Sequence, residues 1–240
     1  MNKAAFKYCI VVCCIICFFI QHSDAQTASE INQNKTGKRQ KPYGGNPILL
    51  KNSFGCFNEV GDAASYMVTL CADVPDNNHP GKLRSGDEPG LVFLTFSKND
   101  GVNSADVSFG FYPRKAVFCF FLTSVKSMIH DNGSRDYDAS VRKKLTETEF
   151  NMLLDRAIEL SKRKYHLKKY NCYDYALEVF NSIPGIEKLP VHHARVSFFL
   201  GRFGSPCSLY SDLLTMKKNN SAWAPDIFFG SGQAPAGCKN

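Results

Sequence analysis

The hydrophobic spacing of this chain changes period once, near its middle, and that change limits the fold class. Upstream, Tyr66, Val68, Leu70 and Ala72 alternate with Met67, Thr69 and Cys71, the period of a half-buried strand. After a polar, Pro- and Gly-rich stretch at 73–90, Leu91 to Phe96 reads as a second strand, and Asn99-Asp100-Gly101 supplies a turn. Val107, Phe109 and Phe111 alternate in a third strand that ends at Pro113; the aromatic run from Ala116 to Leu122 reads as a fourth strand or a buried connection. Downstream, Thr146-x-x-Glu149 is a capping box followed by Phe150, Leu153, Leu154, Ala157 and Ile158 at helical spacing. That predicts a helix over 147–163, closing on Lys162-Arg163-Lys164, where cations suit the dipole. Asn171 then caps a second helix from Cys172 to about Ile183, stopped by Pro184-Gly185. A short strand at 195–200 and a short helix at 208–216 follow, and residues 217–240 carry little signal. Strands and helices in separate blocks give an α+β class.

The ends of the chain set its destination. Lys3 and Lys7 precede an apolar run of 13 residues, Tyr8 to Ile20, and Ser23-Asp24-Ala25 offers small residues for cleavage. The run is short for a membrane span, so residues 1–25 are expected to be a cleaved signal peptide, leaving no stable membrane span and a secreted or periplasmic product. Residues 26–50, polar and without apolar period, read as a flexible leader, and 51–240 as a single domain. Lys3, Lys7 and Asp24 leave with the signal, so 27 of 29 basic and 21 of 22 acidic side chains remain. That modest positive balance, with no aromatic-rich basic motif, gives no support for nucleic-acid binding.

Six cysteines stay in the exported portion: Cys56, Cys71, Cys119, Cys172, Cys207 and Cys238. An oxidising destination permits disulfides, and six can pair completely; a free Cys172 leaves at least one other thiol unpaired. The remaining spacings contain no Cys-x-x-Cys or His-x₃-His, so neither a structural zinc nor another cofactor is expected.

Cys172 carries the chemical expectation. The tetrad Tyr170-Asn171-Cys172-Tyr173 puts a thiol in the first turn of a helix, where N–H groups and the dipole favour thiolate. A nucleophile there also needs a base in reach and a group to orient that base. The competing reading is a small buried side chain.

The order of a strand beginning Gly90-Leu91-Val92-Phe93-Leu94, a strand ending Gly110-Phe111-Tyr112-Pro113, a capped helix, and Tyr170-Asn171-Cys172-Tyr173-Asp174-Tyr175-Ala176 resembles the circularly permuted NlpC-type papain-like cysteine amidases. The likeness spans roughly residues 65–215, including Leu189-Pro190, with 204–214 as a weaker match. It implies an antiparallel sheet packed on helices, the nucleophile at a helix start facing the sheet, and amide bonds of peptides or peptidoglycan as substrate. A related permuted family resembling lecithin–retinol acyltransferase works on lipid acyl groups, and Asp174 does not separate the two.

The family's histidine directly follows the glycine that opens the strand; here that position is Leu91. Leucine accepts no proton. His79 is the first substitute by chain order; His130, His166, His192 and His193 are read as loop histidines. Asp106 and Ser108 sit where a group orienting the base is expected, Trp223 reads as a packing anchor, and Phe118, Phe120 and Phe121 as core. Two functions follow: a cysteine hydrolase using Cys172 with His79, or a catalytically silent relative binding a peptide, a glycan or a partner protein. An acyltransferase or lipase is third.

Overall fold

Among the described residues, eight strands and four helices follow one another in an order that keeps the strand-rich half first. They are β1 (Ser65–Asp73), β2 (Leu91–Asn99), β3 (Ser104–Pro113), β4 (Ser127–Asp131), β5 (Asp136–Leu145), β6 (Ala194–Ser197), β7 (Gly201–Phe203) and β8 (Ile227–Gln233), with α1 (Leu50–Ser53), α2 (Glu147–Ser161), α3 (Cys172–Phe180) and α4 (Pro206–Lys218). The computed structural model describes residues 45–61, 65–81, 90–115, 123–197 and 201–238. The expected signal segment, most of the leader and the aromatic run at 116–122, with Cys119, lie outside the described residues.

Six strands form one antiparallel sheet in the order β4-β3-β2-β1-β5-β8, and β6 pairs only with β7. The four-residue link 132–135 joins the β4 edge to β5. Extended, its five steps reach about 18 Å, whereas four flat strand spacings need about 19 Å. The link is not extended, because the Arg135 N–H turns back to the Asn132 carbonyl. The sheet must therefore coil at this end.

One face of the sheet is the core. Val68, Leu70, Val92, Leu94, Phe96, Phe109 and Val141 are buried there with Phe150, Leu153, Ala157, Tyr175 and Val179 of α2 and α3. Phe111 stacks on Tyr175 at 4.7 Å. Each large apolar side chain removed from water on this face contributes about 2 kcal/mol. Helix α2 starts at the predicted box: Thr146 accepts from the Glu149 N–H while Glu149 accepts from the Thr146 N–H. Helix α3 ends at Phe180, short of the expected Ile183, and α4 runs longer than expected, from Pro206 to Lys218. Trp223 is buried as an anchor, its indole N–H donating to the Glu187 carbonyl at 3.0 Å.

The other face is mixed. Cys71, Leu91, Phe93, Tyr112 and Ala234 form a small buried cluster with Cys172 at its margin. One rung along the strands, Arg142, Thr69, Thr95 and Ser108 stand side by side in register. The end of the chain covers this face. Ala234 exchanges backbone bonds with Ser134 and Arg135, and the Cys238 N–H reaches the Asp106 carbonyl. Cys238 is disulfide-bonded to Cys56 across 182 residues, and Cys71 and Cys172 are free.

Replacing Cys56 and Cys238 together with serine should lower stability by about 3 kcal/mol, since the bond closes nearly the whole domain into a loop. Urea unfolding reads the change; an unmoved midpoint would show that the tail holds its place without the bond.

Candidate active site

Asn171 is the residue from which this site is built. It is 2% exposed, and its side chain uses both of its polar ends. Oδ1 accepts from the Tyr173 N–H at 2.8 Å, while Nδ2 donates to the Leu167 and Gly204 carbonyls, each at 2.9 Å. Asp174 completes a capping box by accepting the Asn171 N–H at 3.0 Å. The next residue, Cys172, is thereby fixed at the first position of α3, as the sequence predicts. Tyr173 packs so closely on Gly204 that a β-carbon there would collide with the ring.

The sulfur of Cys172 lies over the start of β2. The backbone N–H groups of Val92 and Tyr173 point at it, and Arg135 adds a nearby positive charge. These favour thiolate, but they lose. Burial raises the thiol above its ordinary range, with Asp174 adding to the rise. The expectation of an activated thiolate is therefore reversed: loss of water outweighs two amide dipoles and one cation.

Leu91 stands beside that sulfur in the same cluster, 1% exposed. Its approach is set by Gly90 at φ +70°, where a β-carbon would strike the Asp73 carbonyl. The position opposite the thiol is therefore filled by hydrocarbon.

Among the histidines, His130 borders this cluster through Tyr112, with neither ring nitrogen bonded among the described residues. His79 lies in the 74–81 loop, its side chain 75% exposed and 3.4 Å from Asp76. His130 is not in a turn: it belongs to β4, pairs with Gly110 and stacks on Tyr112 at 4.7 Å. His166 is buried and its Nδ1 accepts the Lys168 N–H. His192 and His193 bind the carboxylates of Asp212 and Asp174, at 2.6 and 3.0 Å. Among the described residues, no imidazole is hydrogen-bonded to the Cys172 sulfur.

Asp106 and Ser108 lie further along β3 than the thiol. Ser108 bonds to Thr95 at 2.8 Å and Asp106 to Ser97, so both are committed to neighbouring strands. Another polar residue, Asn132, lies closer to Leu91. It is 3% exposed, donates through Nδ2 to the Tyr112 hydroxyl at 2.8 Å, and leaves Oδ1 unpartnered among the described residues. The space above Gly110 locates that oxygen: a β-carbon there would lie 2.7 Å from Asn132 Oδ1 and 3.2 Å from Leu91 Cδ2. An idle acceptor thus sits next to the leucine. Burial pushes the Tyr112 hydroxyl up to about 12. Asp73 holds Arg135 through Nη2 and Nε at 2.6 and 2.8 Å. The one sequence signal for these residues was Asp131-Asn132-Gly133, which reads as a plain turn.

Among the described residues no three His, Cys, Asp or Glu side chains are grouped to hold a metal ion. No helix among them is long and apolar enough to cross a membrane. No family model, curated protein or solved structure matches the chain.

Because the folded thiol ionises above its ordinary value, its thiolate fraction is depressed at neutral pH and still growing above about pH 9. Iodoacetamide should therefore modify Cys172 more slowly than a free cysteine at neutral pH, with a rate that continues to climb past that point. Mass mapping separates Cys172 from Cys71. A rate that levels off below pH 8, roughly the ordinary thiol range, would show a thiolate the burial argument denies.

Proposed function

We propose that this chain is an exported, catalytically silent relative of the permuted NlpC-type papain-like amidases, and that it acts by binding a peptide. The observation that carries the reading is Leu91, buried in the apolar cluster against which Cys172 packs, at the position where the resemblance calls for a base. The half-buried thiol, its raised ionisation and the exposed position of His79 agree with it. A cysteine without a partner imidazole has nothing to take its proton and nothing to return one to a leaving amine. The unpartnered Asn132 oxygen beside Leu91 fits an orienting group that has lost the imidazole it would hold. The disulfide agrees with an oxidising destination.

The peptide is assigned to the groove between α2 and α3, on the helical side of the molecule. It holds about 1190 Å³ and is lined by Met152, Leu177, Ile186 and Val191 together with Lys169 and Lys188. Met152 and Val191 expose apolar surface at 39% and 62%. Both lysines are without a carboxylate partner among the described residues. Asp155, Glu159, Asp174 and Glu178 line it too, so apolar anchors among charges of both signs suit a short peptide that carries apolar side chains and mixed charge.

Against peptide amides and peptidoglycan, the protein should hydrolyse no faster than its Cys172→Ala variant. Hydrolysis that disappears in that variant would sink the silent reading. Leu91→His should raise the rate by about 10²-fold, the usual lower worth of a positioned base, and only while Asn132 is present.

Selection of random displayed peptides should enrich sequences with apolar anchors and charges of both signs, and Met152→Glu with Val191→Glu should abolish their capture. Enriched peptides that bind the variant equally well would remove the groove from the proposal, and a selection without enrichment would remove the peptide.

A further inference from the structure

The sheet face opposite α2 and α3 holds a second concavity, and its chemistry differs from that of the first. It measures about 180 Å³ and lies between the strands and the returning chain end, bordered by Thr69, Thr95, Ser97, Tyr137, Arg142 and Gln233. Hydroxyl, amide and guanidinium groups thus converge on one cleft. A sheet face covered by chain is normally filled with apolar side chains, because buried polar groups are costly unless they are bonded. This row is polar because register aligns Arg142 with Thr69 and Thr95.

Arg142 decides what such a cleft can hold. Its guanidinium stacks on the Phe228 ring at 4.7 Å, and Nη2 lies 3.5 Å from the Tyr137 hydroxyl. Stacking on a ring leaves the edges of the fork available for in-plane bonds. Among the described residues, no carboxylate comes within ion-pair distance of it. Two acids border the cleft, and both are engaged: Asp136 accepts from the Gln233 side-chain amide at 3.1 Å, and Asp106 accepts from the Ser97 hydroxyl. Arg142 is close enough to Cys71 to favour its ionisation against burial, which places its charge over the cleft. One rung further, Ser140 is fully buried with its hydroxyl unpartnered among the described residues.

We infer that this cleft binds a small organic carboxylate, held by Arg142 as a two-point fork and flanked by the hydroxyls of Tyr137 and Thr69. A carboxylate fits better than a phosphate. A single guanidinium neutralises one charge, and the planar fork matches two coplanar oxygens. Met67 and Pro235, also on the wall, would meet a short apolar chain behind the carboxylate. The site lies on the other face of the sheet from the peptide groove and does not rest on that assignment.

The test uses the disulfide-bonded protein and sodium carboxylates from acetate to hexanoate, at constant ionic strength against sodium chloride. At least one carboxylate should raise the unfolding midpoint with a saturating dose dependence. Arg142→Gln should weaken that dependence about tenfold, the worth of one charge-assisted bond. Inorganic phosphate should give no saturating shift. Chloride-like behaviour of every carboxylate, an equal response in Arg142→Gln, or an equal response to phosphate overturns the inference. Should the variant fold poorly, the wild-type amide spectrum decides. The Arg142 Nε–H and Gln233 side-chain resonances move with carboxylate if the site is real, and their stillness rejects it.

Discussion

A single buried amide holds the functional end of this protein together. The Asn171 side chain ties the first turn of α3 to the loop at Leu167 and to Gly204 beyond β7. Three segments distant in sequence meet at one group that has no freedom left. Removing it would strand two carbonyls and a helix-start N–H in a region almost closed to water, each of which costs roughly 1–3 kcal/mol. The position of Cys172, the docking of Tyr173 against Gly204 and the seating of α3 on β2 all follow. An Asn-Cys pair at a helix start is thus fully explained by architecture. Its presence alone is no sign of chemistry.

What the thiol can do is then decided by its neighbours. A helix start supplies partial positive charge worth up to about 2 kcal/mol in a partly buried setting. Enclosure by Leu91, Phe93 and Tyr112 removes the water that stabilises a thiolate, and this effect is the larger one. A histidine at position 91 would change the balance twice, by adding a base and by bringing a polar group into the pocket. Leucine does neither, and the acceptor on Asn132 beside it has nothing to receive.

The parts of the fold that could be read directly from sequence are those set by local chemistry. The Thr146/Glu149 box marks the start of α2, and Asn171 that of α3, because a cap is a contact between residues three apart. Strands β1, β2 and β3 show their period because one side faces the helices. Strands β4, β5 and β8 do not. In β5, Arg142 and Lys144 alternate with Val141 and Lys143, so the pattern reads as a charged surface run. Only its register with β1 reveals that Arg142 faces a covered cleft. His130 looks like part of a polar turn because Asp131-Asn132-Gly133 follows it, and the coil of the sheet turns that turn into the strand's own end. The active-site candidate was legible at Cys172 and Leu91. Asn132 was not, since its place depends on a link that crosses the sheet.

That crossing explains why both faces of one sheet are enclosed without two full layers of helices. Helices α2 and α3 cover the first face, and the coil together with the disulfide-held tail covers the second. A tail is a thin cover, with few large side chains to fill the space beneath it. Ala234 and Pro235 are small, and the strands below present Thr69, Thr95 and Ser97 where a helix-covered face presents leucine and phenylalanine. A polar, incompletely filled cleft is the physical consequence. Apolar closure at Cys172 and polar opening at Arg142 are therefore two ends of the same arrangement, one sealed by Leu91 and the other left for a ligand.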